Sequence, residues 1–117
     1  MSHDSAPIET LDPATLKRLL DAHAIVLVDV REPAEFLAER IAGALLFPLS
    51  TFDAAALPDD GTRRLVFQCG SGKRSLDAAN RRLAGGAARA AHLGGGLAAW
   101  KAAGLPVVRD ARPGAAA

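Results

Sequence analysis

Residues 24–30 read AIVLVDV, and RLVFQ follows at 64–68. Each run is apolar and rich in β-branched side chains, too short for a buried helix and typical of a strand covered on both faces. Between and around them lie segments with helical signals. ETLDPATLKRLLDA offers Asp12 as a cap, Pro13 for the first helical turn and Leu16, Leu19 and Leu20 on one face. Pro33 opens a short helix through Glu35, Phe36 and Leu37. SLDAANRRLA (75–84) repeats Leu76, Ala79 and Leu83 at helical spacing. IAGALLFPL (41–49) reads as a turn at Gly43 and a short strand stopped by Pro48, and TFDAAAL as one or two helical turns. ARAAHL (88–93) is a weak strand, GGG (94–96) a turn, and LAAWKAAG (97–104) a last helix ended by Gly104 and Pro106.

Short strands alternating with helices imply right-handed crossovers and a parallel, helix-flanked sheet, an α/β fold. In such sheets ligands bind beyond the carboxyl ends of the strands. The segments Asp29–Arg31 and Cys69–Ser75 both follow strands directly, which places them on the same edge.

The chain has 117 residues, sized for one core, and the pattern spans residues 7–108. Residues 1–6 are polar and read as a flexible start; 109–117 have no pattern and read as a disordered tail. Half the chain is hydrophobic, much of it alanine, and aromatics are 4%. The formal charge of +1 gives no reason to expect a nucleic-acid or membrane partner. No apolar stretch approaches the roughly 18–20 residues of a membrane helix, and the start lacks a signal-peptide pattern. One cysteine makes no internal disulfide, which fits a reducing compartment. The expected location is cytoplasmic.

The segment QCGSGKRS (68–75) raises two chemistries. A phosphate loop needs G-x-x-x-x-G-K-[ST]. Here Phe67 stands where the first glycine belongs and Arg74 where the hydroxyl belongs, so only the Gly–Lys pair matches. A cysteine-phosphatase loop closes on an arginine six positions after the cysteine. That position is Ser75, and Arg74 comes one residue early. The ring of N–H groups is therefore smaller and suits a smaller anion than a phosphoryl group. What remains is a strand-end cysteine, a glycine turn and a helix N-terminus, whose N–H groups form an anion-holding nest. Such surroundings lower a thiol from about 8.5 to roughly 3.5–7.5. A drop of about two units is roughly 2.7 kcal/mol in favour of the thiolate. On these residues alone Cys69 reads either as an activated nucleophile or as a buried core cysteine.

Three segments together resemble the rhodanese family of sulfurtransferases. DVREPAEFLAERIAGALLFPL (29–49) is similar to the amino-terminal signature, with Asp29, Arg31, Glu35, Phe36, Ile41, Gly43, Ala44 and Pro48 in place. CGSGKRS (69–75) resembles the active-site loop C-x-x-G-x-R followed by Ser. LGGGLAAWKAAGLPV (93–107) is similar to the carboxyl-terminal signature at Leu93, Gly95, Gly96, Trp100, Gly104, Leu105 and Pro106. Arg40 and Leu46 depart from the common His and Asn and read as scaffold drift. Gly70 points toward mercaptopyruvate-type loops and Arg74 toward thiosulfate-type loops, so the donor stays open.

The resemblance implies a three-layer fold with a mainly parallel sheet of about five strands and helices on both faces. It also implies a two-step reaction without a cofactor. Cys69 takes the outer sulfur of thiosulfate or a low-molecular-weight persulfide, and the resulting Cys69 persulfide passes it to cyanide, a small thiol or a protein acceptor. With no second cysteine in the sequence, the acceptor comes from outside it.

In this reading Cys69 is the nucleophile. Gly70, Ser71 and Gly72 serve through backbone N–H groups, and Arg74 guides the anion and lowers the thiol pKa. Lys73 contacts substrate or points to water, and Ser75 donates to the loop or caps the helix. Asp29 is expected to hydrogen-bond across the strand ends and Arg31 to pair with Glu35, both supporting the pocket. His3, His23 and His92 stand isolated without metal spacing, so no metal is expected, and Trp100 packs the last helix on the sheet. The rival to the enzyme is a rhodanese-like interaction or sulfur-relay module. A small-ring oxyanion reductase is a third reading, weakened by the absence of a second cysteine.

Overall fold

A computed structural model describes residues 7–109, in the order β1 (Ile8–Leu11), α1 (Pro13–Asp21), β2 (Ile25–Asp29), α2 (Pro33–Ala38), β3 (Leu45–Leu46), β4 (Arg64–Gln68), α3 (Lys73–Ala84), β5 (Ala90–Leu93) and α4 (Gly96–Ala102). The strands form one sheet in the order β1-β5-β4-β2-β3, with every pairing parallel. All five residues of β2 are buried, as its unbroken apolar run requires in a sheet covered on both faces.

The period of two along β2 sorts its side chains into two cores. Ile25 and Leu27 join Leu16 of α1 and Leu97 and Trp100 of α4 on one face. Val26 and Val28 join Phe67, Cys69 and the alanines Ala78 and Ala79 of α3 on the other. Small side chains on α3 let the helix backbone approach the sheet closely. Three phenylalanines gather on this face: Phe52 meets Phe47 and Phe67 edge-on, with centroids 5.5 and 5.9 Å apart.

Helix starts follow the local chemistry. Asp12 accepts from the Thr15 N–H at 2.7 Å and Pro13 occupies the first turn of α1. Trp100 is buried and donates to the Pro106 carbonyl at 2.8 Å, fixing α4 and the chain after it. Residues 51–57 add a short 3-10 turn at Ala54–Ala56, preceded by another at Leu49–Thr51.

β1 was not expected. IETL shows no apolar run and abuts the Asp12 cap, so it reads as the approach to a helix. It forms an edge strand, where only Leu11 is buried and pairing with β5 supplies the structure. Helix α3 starts at Lys73, two residues earlier than its apolar repeat indicates. The expectations for residues 1–6 and for the tail from 110 onward lie outside the described residues; Arg109 is described and pairs with Glu39 at 2.8 Å. Among the described residues no helix is long and apolar enough to cross a membrane.

Candidate active site

β4 delivers its last side chain, Gln68, to one face, and the chain then turns sharply through Cys69–Gly72 into α3. The turn is held from behind by the start of α4. Leu97 N–H donates to the Cys69 carbonyl at 2.8 Å, and Ala98 N–H to the Gly70 carbonyl at 3.0 Å. The Gln68 side-chain amide also donates to the Cys69 carbonyl, at 2.8 Å. With these carbonyls engaged, loop N–H groups are left for the sulfur. Gly72 N–H reaches Sγ at 3.1 Å and Ser75 N–H at 3.3 Å. Gly72 sits at φ 101°, a left-handed turn that favours glycine.

Burial alone pushes the Cys69 thiol up. The Ser75 hydroxyl and the N–H groups of Ser75, Gly72 and Ser71 outweigh it and hold the thiol below its ordinary value. The loop N–H groups of Gly72 and Ser75 thus converge on Sγ. Cys69 itself has no exposed surface.

Ser75 does more than begin a helix. Its buried hydroxyl lies 3.6 Å from Sγ, donates to the Gly72 carbonyl at 3.2 Å, and stands 2.9 Å from Nδ1 of His92. His92 is not isolated: it lies on β5 beside the loop, and its Nε2 is 3.3 Å from Thr10 Oγ1 of β1. Burial holds its imidazole below the ordinary value. A single histidine on a weak strand carries no spacing signal, so only the β1–β5–β4 order reveals its neighbours.

Two expectations, the pairing of Arg31 with Glu35 and the hydrogen bond of Asp29 across the strand ends, are corrected. Glu35 pairs with Arg74, not Arg31, through hydrogen bonds of 2.7 and 3.0 Å. The Arg74 bond, aided by the Glu32 N–H, brings the Glu35 carboxyl down to about 2 against the opposing effect of burial. Arg31 instead turns back onto Asp29, with contacts of 2.8 to 3.2 Å from its guanidinium and 3.0 Å from its backbone N–H. Asp29 is therefore consumed within its own segment rather than bridging strand ends. Arg31 also donates to the Glu39 carbonyl at 2.7 Å and the Glu35 carbonyl at 3.4 Å. These bonds fasten α2, whose Glu35 side chain extends to the loop. Asp29 and Gln68 are in register at the sheet edge, so the pair lies beside the site without bonding Cys69.

Arg74 lies over the loop: a β-carbon at Gly70 would be 3.4 Å from its Nη2. Lys73 is exposed. The backbone residue least visible in advance is Gly96, at φ 60°, where a β-carbon would fall 2.6 Å from the Gly70 carbonyl carbon and 2.7 Å from the Ser71 nitrogen. The GGG run signalled a turn, not this close approach.

The fold and loop define a class: a cysteine loop between strand and helix at the edge of a helix-flanked parallel sheet. The chain belongs to the rhodanese-like domain family, whose model matches residues 12–103. It is 36% identical over 104 residues to a protein of Allochromatium vinosum named sulfurtransferase, covering 86% of this chain and 95% of that one. An uncharacterised protein of Synechocystis is 43% identical over 100 residues, covering 86% of this chain; the match spans only 56% of that protein. Among solved structures, a rhodanese-related protein of Thermoplasma volcanium superposes with a TM-score of 0.75 at 27% identity, covering 87% of this chain and 99% of that one.

Proposed function

We propose that the protein is a sulfurtransferase that moves a sulfane sulfur from thiosulfate or a low-molecular-weight persulfide to a thiophilic acceptor. The observation that carries this reading is the ring of N–H groups around Cys69 Sγ, with donors at 3.1 and 3.3 Å. The thiolate attacks the outer donor sulfur; a new S–S bond forms as the donor's S–S bond breaks, and sulfite or a thiolate leaves. The Cys69 persulfide anion remains within reach of the same donors. Cyanide or an acceptor thiolate then attacks the outer sulfur and regenerates the Cys69 thiolate. The name of the Allochromatium relative supports the same class. No cofactor enters either step.

Thiocyanate formation from thiosulfate and cyanide, absent in Cys69→Ala, is the expected assay result. A second reading, a partner-dependent sulfur-relay module, is favoured by the complete burial of Cys69. Persulfide transfer only in the presence of a protein acceptor or donor, with no thiocyanate from small molecules, would select it.

A further inference from the structure

Four side chains form an unbroken polar line from the buried sulfur to the surface. Sγ of Cys69 is 3.6 Å from Ser75 Oγ, Ser75 Oγ is 2.9 Å from His92 Nδ1, and His92 Nε2 is 3.3 Å from Thr10 Oγ1. Cys69, Ser75 and His92 are buried, whereas Thr10 is exposed. A buried thiol ionises only when its proton can reach a base or water, and this line is a route for it.

We propose that His92 is a positioning residue for Cys69, forming with Ser75 and Thr10 a relay that carries the thiol proton outward and turns the Ser75 hydroxyl onto the thiolate. The inference rests on Cys69 being the reacting thiolate.

The bookkeeping of protons fixes how this works. A neutral imidazole has one N–H to place, and burial favours the neutral form of His92. With Cys69 protonated, S–H donates to Ser75, the Ser75 O–H is shared between Nδ1 at 2.9 Å and the Gly72 carbonyl at 3.2 Å, and Nε2–H donates to Thr10. Ionisation reverses every bond. The sulfur proton passes to Ser75, the serine proton to Nδ1, the Nε2 proton to Thr10, and the threonine proton to water. Each heteroatom gains one proton and gives one, and the only net loss is from sulfur. In the final state Thr10 donates to Nε2, Nδ1–H to Ser75, and Ser75 O–H to the thiolate. Were His92 fixed with its proton on Nε2, the bare Nδ1 at 2.9 Å would retain the serine proton and the thiolate would lose a donor. Among charged groups on the neighbouring elements, Glu9 of β1 and Arg64 of β4 pair with each other. Lys73 and Arg74 begin α3, with Arg74 paired to Glu35. All of these remain in the variants below.

The test is the pH profile of Cys69 alkylation by iodoacetamide, which needs no sulfur donor, together with nitrogen NMR of the His92 ring. In the wild type the His92 proton is expected on Nε2 below the alkylation midpoint and on Nδ1 above it. His92→Leu removes the Nδ1–H that turns the hydroxyl and leaves Ser75 O–H to the Gly72 carbonyl, so it is expected to raise the midpoint and slow alkylation at neutral pH about tenfold, one pKa unit. His92→Asn, whose amide can donate from near the Nδ1 position, should recover part of the loss. Thr10→Val should slow alkylation less. A proton that stays on Nε2 throughout, or a midpoint unmoved in folded His92→Leu and His92→Asn, overturns the relay. Failure of the wild type to take up donor sulfur would overturn the sulfurtransferase reading separately, since the alkylation and NMR results decide the relay without it.

Discussion

Leu97 N–H and the Cys69 carbonyl are joined at 2.8 Å, which makes the first turn of α4 the back wall of the cysteine loop. Gly96 permits this approach by having no side chain. Gly96→Ala would press a methyl group into the loop backbone and hold alanine at φ 60°. The expected loss is about 2 kcal/mol or more of stability, from overpacking and left-handed strain together. Thermal melts should show it, with Cys69 alkylation slowing as the loop N–H groups lose their aim. An unaltered melt and reactivity would mean that the loop does not depend on α4.

Ser75→Ala removes a hydroxyl that helps hold the Cys69 thiol below its ordinary value. Reactivity needs the thiolate, so it falls as pH drops through the Cys69 pKa. The variant's profile should move to higher pH by up to about one unit, the worth of one charge-assisted hydrogen bond. Stability carries the same sign. A depressed thiol pKa adds stability that is complete above the ordinary thiol value and is lost as pH falls through the lowered one. Urea melts from pH 9 downward should therefore lose more stability in the wild type than in Cys69→Ala.

Glu35 holds Arg74 with two hydrogen bonds, and each side chain remains about two-fifths exposed, at 41% and 38%. Such a pair contributes at most about 1 kcal/mol, screened by solvent, so Glu35→Gln should fold normally. Its larger expected effect is on the donor: removing the carboxylate leaves Arg74 free to attract anions. Turnover with thiosulfate, a dianion, should rise several-fold in Glu35→Gln relative to an alkyl persulfide, and fall in Arg74→Ala. Because the carboxyl titrates near 2, its stabilisation is present above the ordinary carboxylate range and disappears as pH falls toward that value. The stability gap between wild type and Glu35→Gln should close on the same path.

Asp29→Ala leaves the Arg31 guanidinium, 4% exposed, without its carboxylate. Breaking a buried pair on one side typically costs about 3–5 kcal/mol. Denaturant melts should show a loss of this size, with weaker fastening of α2. Loss of activity without loss of stability would instead give Asp29 a direct part in the chemistry.

The sheet and the position of the cysteine loop were legible in the sequence because both are local signals. β2 and β4 announce themselves by unbroken apolar runs, and counting from Cys69 to Arg74 separates the loop from phosphate-binding ones. Both also rest on the three family segments, since the fifth strand, β1, has no apolar pattern of its own. Partner choice was not legible. Arg31, Arg74, Glu35 and Asp29 offer several pairings of opposite charge, and only the direction in which each segment leaves the sheet selects Arg31–Asp29 and Arg74–Glu35. His92 became visible for a similar reason: β5 lies between β1 and β4, so residues 10, 75 and 92 converge although they are far apart in the chain.

The most direct measurement of the central claim is the intact mass of the protein after brief exposure to thiosulfate and, separately, to glutathione persulfide. A gain of one sulfur atom on the wild type, removed by cyanide and never seen in Cys69→Ala, is the predicted result. An unchanged mass with both donors, in protein whose Cys69 remains reduced and alkylatable, would contradict it.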